Sequence, residues 1–171
     1  MIQIKSFEPS DAELIAGISR ETFYDTFAVH NTRSDMDKFL AEQFNKEQLM
    51  KEVSEPGNLF FLAYADEVPA GYLFLKDRSH HLLASSAAVE ISRLYVRKPF
   101  IGQGVGKLLM QQAIGHAGHL QKDTVWLGVW EHNHPAIRFY TSFGYQKFGE
   151  HDFILGDDVQ RDWLMQRPVN L

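Results

Sequence analysis

The residues with the clearest chemical potential are Gly102-Gln103-Gly104-Val105-Gly106-Lys107. Glycines let backbone N–H groups approach a ligand closely, and a helix starting beside them adds unpaired donors and a dipole that favours phosphate. A tight strand-to-helix turn is the plainer use of the same residues. Spacing narrows the choice of phosphate ligand. A dinucleotide fingerprint needs glycine at the sixth position, where Lys107 stands. A nucleoside-triphosphate loop needs four residues between its glycines and Ser or Thr after the lysine. Gly102 and Gly106 enclose three residues, and Leu108 follows Lys107. Neither pattern fits.

Other polar residues offer further chemistry. Glu90 is a carboxylate on an otherwise apolar strand, a candidate base acting directly or through water, and equally a solvated or salt-bridged side chain. Alternation predicts that it shares a face with Ser92, Leu94 and Val96. Tyr140 sits at helical spacing with Phe139 and Phe143, which by periodicity alone reads as a core aromatic. Asn133 stands where a helix cap would, two residues before Pro135. His80-His81, His116 with His119, and His132 with His134 lack Cys or Asp companions and make weak ligand sets, so no metal is expected. The chain has no cysteine, which removes disulfides, thiolate metal sites and a cysteine nucleophile.

These residues must be held by a particular series of elements. A strand at Ile2–Phe7 precedes Ser10-Asp-Ala-Glu13, which reads as a capping box opening a helix to about Thr22. Helices are expected over 34–43 and from Asn45 to just before Pro56-Gly57. Leu59–Ala65 and Val68–Lys76 read as a hairpin turning at Asp66-Glu67. A polar loop over 77–86 leads to a strand at Ala88–Arg97. After the glycine turn comes a helix over 105–116 with Val105, Leu108, Leu109, Ala113 and Ala117 on its apolar face. Thr124–Glu131 is a strand, and a short helix follows from Asn133, ending at Gly144. Strands at about 145–155 and 160–167 turn at Gly156-Asp157-Asp158. Strand, glycine turn, helix and strand in succession imply a right-handed crossover and two parallel strands, while the hairpins make the rest of the sheet antiparallel.

Composition bounds the partners. The 171 residues are 44% hydrophobic, enough for one domain, 1–171, with one substantial core. The N-terminus lacks a signal-peptide pattern, and the apolar run at 59–65 is too short to span a bilayer, so a cytoplasmic protein with no membrane partner is expected. Net charge is −5 with both signs scattered, and no basic cluster marks a nucleic-acid partner. The acidity either favours cationic substrates weakly through the overall field or serves solubility.

Two blocks carry a family resemblance. Leu94-Tyr95-Val96 with Ile101-Gly-Gln-Gly104-Val-Gly106 is the first. The second is Val125 to Tyr145, with Asn133, Ala136, Phe139-Tyr140 and Gly144-Tyr145. In order and spacing they resemble the general N-acetyltransferase superfamily, whose pattern usually has Gln or Arg where this chain has Ile101. Leu127-Gly-Val-Trp-Glu131 and Glu21-Thr-Phe-Tyr24-Asp-Thr-Phe27 resemble the Pai-type spermidine/spermine acetyltransferases within it.

The resemblance implies an α/β fold, a central twisted mixed sheet flanked by helices, and acetyl-CoA as cosubstrate. It implies that the backbone of Leu94, Tyr95 and Val96 pairs with the pantetheine arm, and that Gly102, Gln103, Gly104, Val105, Gly106 and Lys107 bind the pyrophosphate. Asn133 would contact the CoA arm and Tyr140 would protonate the departing sulfur. Tyr24, Asp25 and Glu21, just past the first helix, would border the acceptor pocket, where a carboxylate can hold a second ammonium of a polyamine. The partner implied is a small-molecule amine, and a homodimer is compatible. Two rivals use the same fold: a protein N-terminal or lysine acetyltransferase, and a CoA-sensing module with little turnover. With no cysteine, an acetyl-cysteine intermediate cannot form, so direct attack by the amine is expected.

Overall fold

The computed structural model describes residues 1–170. Its elements in chain order are β1 (Ile2–Ser6), α1 (Ala12–Phe27), α2 (Arg33–Gln43), α3 (Lys46–Ser54), β2 (Asn58–Ala65), β3 (Val68–Lys76), β4 (Ala88–Val96), α4 (Val105–His119), β5 (Thr124–Trp130), α5 (His134–Ser142), β6 (Gln146–Leu155) and β7 (Asp158–Pro168). The strands form one seven-stranded sheet in the order β1-β2-β3-β4-β5-β7-β6. β4 and β5 run parallel, joined through α4; the other neighbours are antiparallel. This is the mixed sheet expected from the element order.

Alternating side chains bury both faces of the central strands. On one face Leu73, Val89, Ile91, Val125 and Leu127 pack with Leu109, Met110 and Ala113 of α4. On the other, Phe60, Leu62, Tyr72 and Phe74 meet Ile15, Ile18 and Leu49 of α1 and α3. Each fully buried aliphatic side chain contributes roughly 1.5–3 kcal/mol to this layering. Leu108, expected on the inner face of α4, is only partly buried, and Met110 takes that place in the core.

The start and length of α1 differ from expectation. Ser10 does not cap it. A short 3₁₀ turn at Pro9–Asp11 precedes the helix, and the Glu8 N–H donates to Asp11 Oδ2 at 2.9 Å. Pro9 at the first position of that turn has no N–H to satisfy, so the turn starts one residue ahead of Ser10. The helix continues past Thr22 to Phe27, because Phe23 and Phe27, one turn apart, stack at 4.3 Å and bury against Phe39, Phe44 and Phe153. Asn45 does cap α3, accepting from the Gln48 N–H at 2.8 Å.

Between Ile91 and Arg93 the register of β4 against β3 shifts, Leu75 facing Ile91 and Phe74 facing Arg93. Ser92 is the extra residue of a β-bulge. A bulge breaks the side-chain alternation. Val89, Ile91, Leu94 and Val96 therefore all face α4. Glu90, between Val89 and Ile91, lies on the opposite face from Leu94 and Val96, against the simple alternation.

Candidate active site

β4 and β5 pair from Ala88–Thr124 to Ile91–Leu127 and no further. Past the bulge, Leu94, Tyr95 and Val96 still pair with β3, at Leu73, Tyr72 and Gly71. Gly128, Val129 and Trp130 still pair with β7. The facing edges of the two parallel strands are left without a strand partner, and their backbone donors and acceptors border a cavity of about 660 Å³. An extended ligand with amide groups would satisfy those edges as a strand would.

The glycine turn borders the same cavity through Gly102, Gly104, Gly106 and Lys107. Gly102 and Gly104 have φ of +82° and +89°, a left-handed backbone that side chains other than glycine rarely adopt. A Cβ at either would meet no atom within 4 Å, so the space above the turn is open to a ligand. Gly104 is the N-cap of α4, and the first-turn amides have no intrahelical partner. Such donors, at the positive end of a helix dipole, suit a pyrophosphate. Gln103 turns its side-chain amide to the Pro99 carbonyl at 2.8 Å, and Val105 is buried in the core, so these two offer backbone only. Ile101 is 66% exposed on the rim. The Asn133 side chain accepts from the Ala136 N–H at 3.3 Å, capping α5, and also lines the cavity.

Tyr140 is buried on α5 and lines the cavity. Its ring packs edge-on to Phe139 and Tyr145, at 5.5 and 5.8 Å. Burial alone pushes the phenol up to about 12. It is fully protonated at neutral pH and able to donate.

Beyond this lies an acidic, aromatic region. Phe23, Phe27, Trp130 and Phe153 form its walls, and Asp25 lines it from the last turn of α1. Tyr24 and Glu21 do not line it. Because α1 runs on to Phe27, all three residues are helical rather than part of a loop. Tyr24 is 48% exposed, and Glu21 is held by Arg97 at 3.1 Å. Glu90 is also outside the cavity lining: it is buried and ion-paired with Arg78. The bulge explains the error, since it reverses the face on which Glu90 was expected.

One functional candidate escaped the sequence reading. Asp162 of β7 lines the cavity, and burial pushes its carboxyl up to about 6 against the opposing pull of His151. The signal available was a carboxylate next to the apolar run Trp163-Leu164-Met165 in a strand. Its position came from β7 inserting between β5 and β6, which no local pattern announces. Among the described residues, no three His, Asp or Glu side chains gather as a metal site.

Residues 20–145 match the acetyltransferase (GNAT) family, a span holding the glycine turn, the splayed strands and α5. The chain belongs to that family. An uncharacterised N-acetyltransferase from the pepI 3′ region of Lactobacillus delbrueckii subsp. lactis is 41% identical over 172 residues, covering 99% of each chain. A spermidine N(1)-acetyltransferase of Thermoplasma acidophilum is 28% identical over 116 residues, covering 66% of this chain and 68% of that one. The crystal structure of the PaiA N-acetyltransferase of Thermoplasma acidophilum, in complex with coenzyme A, superposes with a TM-score of 0.78 at 22% identity, covering 98% and 99%. The expected α/β acetyltransferase fold is therefore present, and the chain is an N-acetyltransferase of this family. No helix among the described residues is long and apolar enough to cross a membrane.

Proposed function

We propose that this enzyme transfers the acetyl group of acetyl-CoA to a small cationic amine, directly in a ternary complex, with spermidine or spermine the first acceptors to test. One observation carries the reading. A single cavity is bordered by the glycine turn, by the free edges of β4 and β5, by the protonated phenol of Tyr140, and by an aromatic region with two carboxylates, Asp25 and Asp162.

Acetyl-CoA supplies a thioester carbonyl that a neutral amine can attack. Gly102, Gly104, Gly106 and Lys107 hold the pyrophosphate, the backbone of Leu94 to Val96 lies along the pantetheine arm, and Asn133 contacts that arm. Tyr140 donates a proton to the sulfur as it leaves. Aromatic faces and carboxylates favour an ammonium over a neutral or anionic acceptor. The Thermoplasma acidophilum spermidine acetyltransferase adds weight to the polyamine reading. Release of free CoA thiol, measured across a panel of polyamines, monoamines, amino acids and peptides, tests it. Spermidine or spermine should lead; efficient acetylation of peptides with polyamines inert would give the site to a protein acceptor instead.

A further inference from the structure

An alkyl ammonium has a pKa near 10.4, so at neutral pH only about one amine in a thousand is ready to attack. The acceptor site therefore needs a group that takes a proton from nitrogen. The carboxylates near the cleft differ in how they are held. Glu21 is bound by Arg97, Glu52 by Arg93 and Glu90 by Arg78. Each of these carboxylates is already engaged by a guanidinium rather than open to a substrate ammonium. Asp25 lines the cavity but is exposed to water. Asp162 has neither arginine nor lysine. It lies directly opposite His151 in the β6–β7 register, with His151 Nε2 at 3.5 Å from Oδ2. The Asp162 side chain is 16% exposed and that of His151 43%, so the pair runs from the cavity to solvent. Gly128 on β5 leaves room beside it: a Cβ there would stand 3.3 Å from Asp162 Oδ2 and 3.5 Å from His151 Cε1.

From this arrangement we infer that Asp162 is the base that deprotonates the acceptor ammonium, and that His151 positions its carboxylate and carries the proton to water. The inference rests on the acetyltransferase reading above. Two protons leave the nitrogen. The first passes from the ammonium to Asp162 and on through His151 to solvent. The freed lone pair forms the C–N bond to the acetyl carbon, and the C–S bond breaks. The sulfur takes a proton from Tyr140, and the second nitrogen proton restores that phenol. One proton is released per acetyl group transferred.

Asp162 is poised for this because burial raises its carboxyl to about 6, near the pH at which a base is most useful. Other ionisable groups around it are Tyr95 from β4, Tyr140 from α5 and Asp25 from α1. Arg93, Lys98 and Lys107 line more of the cavity, and His80 lies beyond His151. Tyr95 and Tyr140 are both held protonated by burial, which leaves the Asp162 carboxylate, rather than either phenol, to take the proton.

The test is the pH dependence of kcat/KM for thiol release, with spermidine, or with the fastest amine of the panel if spermidine is inert. The wild type should show an acidic limb near pH 6. Asp162→Asn should lose roughly 10²–10⁴-fold in kcat and lose that limb, with acetyl-CoA affinity unchanged. His151→Asn should keep the limb but move it to higher pH, because the histidine lowers the carboxyl it faces. A purely structural histidine would not move it. A rise in KM alone in Asp162→Asn, with the limb retained, would make Asp162 an ammonium anchor and overturn the inference while leaving the acetyltransferase reading intact. No thiol release from wild type with any amine would overturn both.

Discussion

Ile91 of β4 pairs with Leu127 of β5 as the last rung between the two parallel strands, and the very next residue of β4, Ser92, is bulged. The loss of pairing there opens the cavity in front of the α4 N-terminus.

Ligand binding at that N-terminus is the first expectation. Acetyl-CoA at about 100 times its dissociation constant should stabilise the fold by about 2.7 kcal/mol, read as a rise in melting temperature. Gly104→Asp places a side chain at φ +89° and a negative charge among the phosphate donors. The folded variant should show no thermal shift with acetyl-CoA. An unchanged shift would remove the pyrophosphate from the glycine turn.

Asp162 has a cost for folding that can be measured separately from catalysis. Its carboxyl titrates at about 6 in the folded protein, above the roughly 3.9 of an unfolded chain. Between these values the folded state holds a proton that the unfolded state has lost. Stability therefore falls as pH rises from about 4 to 6, and stays lowered above. Asp162→Asn should stabilise the fold at pH 7–8 by an amount on the order of 2 kcal/mol, read as a rise in melting temperature, and the gain should vanish below pH 4. Equal destabilisation at all pH values would contradict the buried, titrating carboxylate.

Much of the architecture was legible because local signals agree with it. The Asp66-Glu67 hairpin, the glycine turn opening α4 and the Asn133 cap each follow from residue types at fixed spacing. What failed depends on contacts remote in sequence. The bulge at Ser92 is set by the pairing of β4 with β3, and it turned Glu90 away from the cleft. The extra turn of α1 is held by Phe39, Phe44 and Phe153, and the Glu21 carboxylate is taken up by Arg97 of the segment after β4. Asp162 became visible only once β7 was found between β5 and β6.

Arg93 and Glu52 meet at 2.9 Å with side chains 13% and 8% exposed, and the guanidinium lies 4.9 Å over Phe44 and 5.1 Å over Phe74. Removing one member strands a buried charge. Glu52→Ala should cost about 3–5 kcal/mol, measured by chemical denaturation. Replacing both by apolar residues of similar size should cost much less. Equal costs for the single and double variants would contradict the pairing.

Asp25 lines the cavity while exposed to water, so its effect on a cationic acceptor should be modest and screened. Asp25→Asn should raise KM for a polyamine about 1.5- to 5-fold, the range expected of an exposed charge contact. The difference should shrink at high salt, with kcat little changed. An effect on kcat that is insensitive to salt would place Asp25 in the chemistry instead.

Tyr140 tests the central claim most directly, because its hydroxyl is the group assigned to the departing sulfur. Tyr140→Phe keeps the ring packed between Phe139 and Tyr145 and removes only the proton donor. Single-turnover and steady-state thiol release, with acetyl-CoA affinity measured on the same protein, separate the two uses of this residue. The account predicts a fall in kcat of roughly 10²–10⁴-fold with the acetyl-CoA dissociation constant unchanged. A well-folded Tyr140→Phe protein that turns over at the wild-type rate would contradict it.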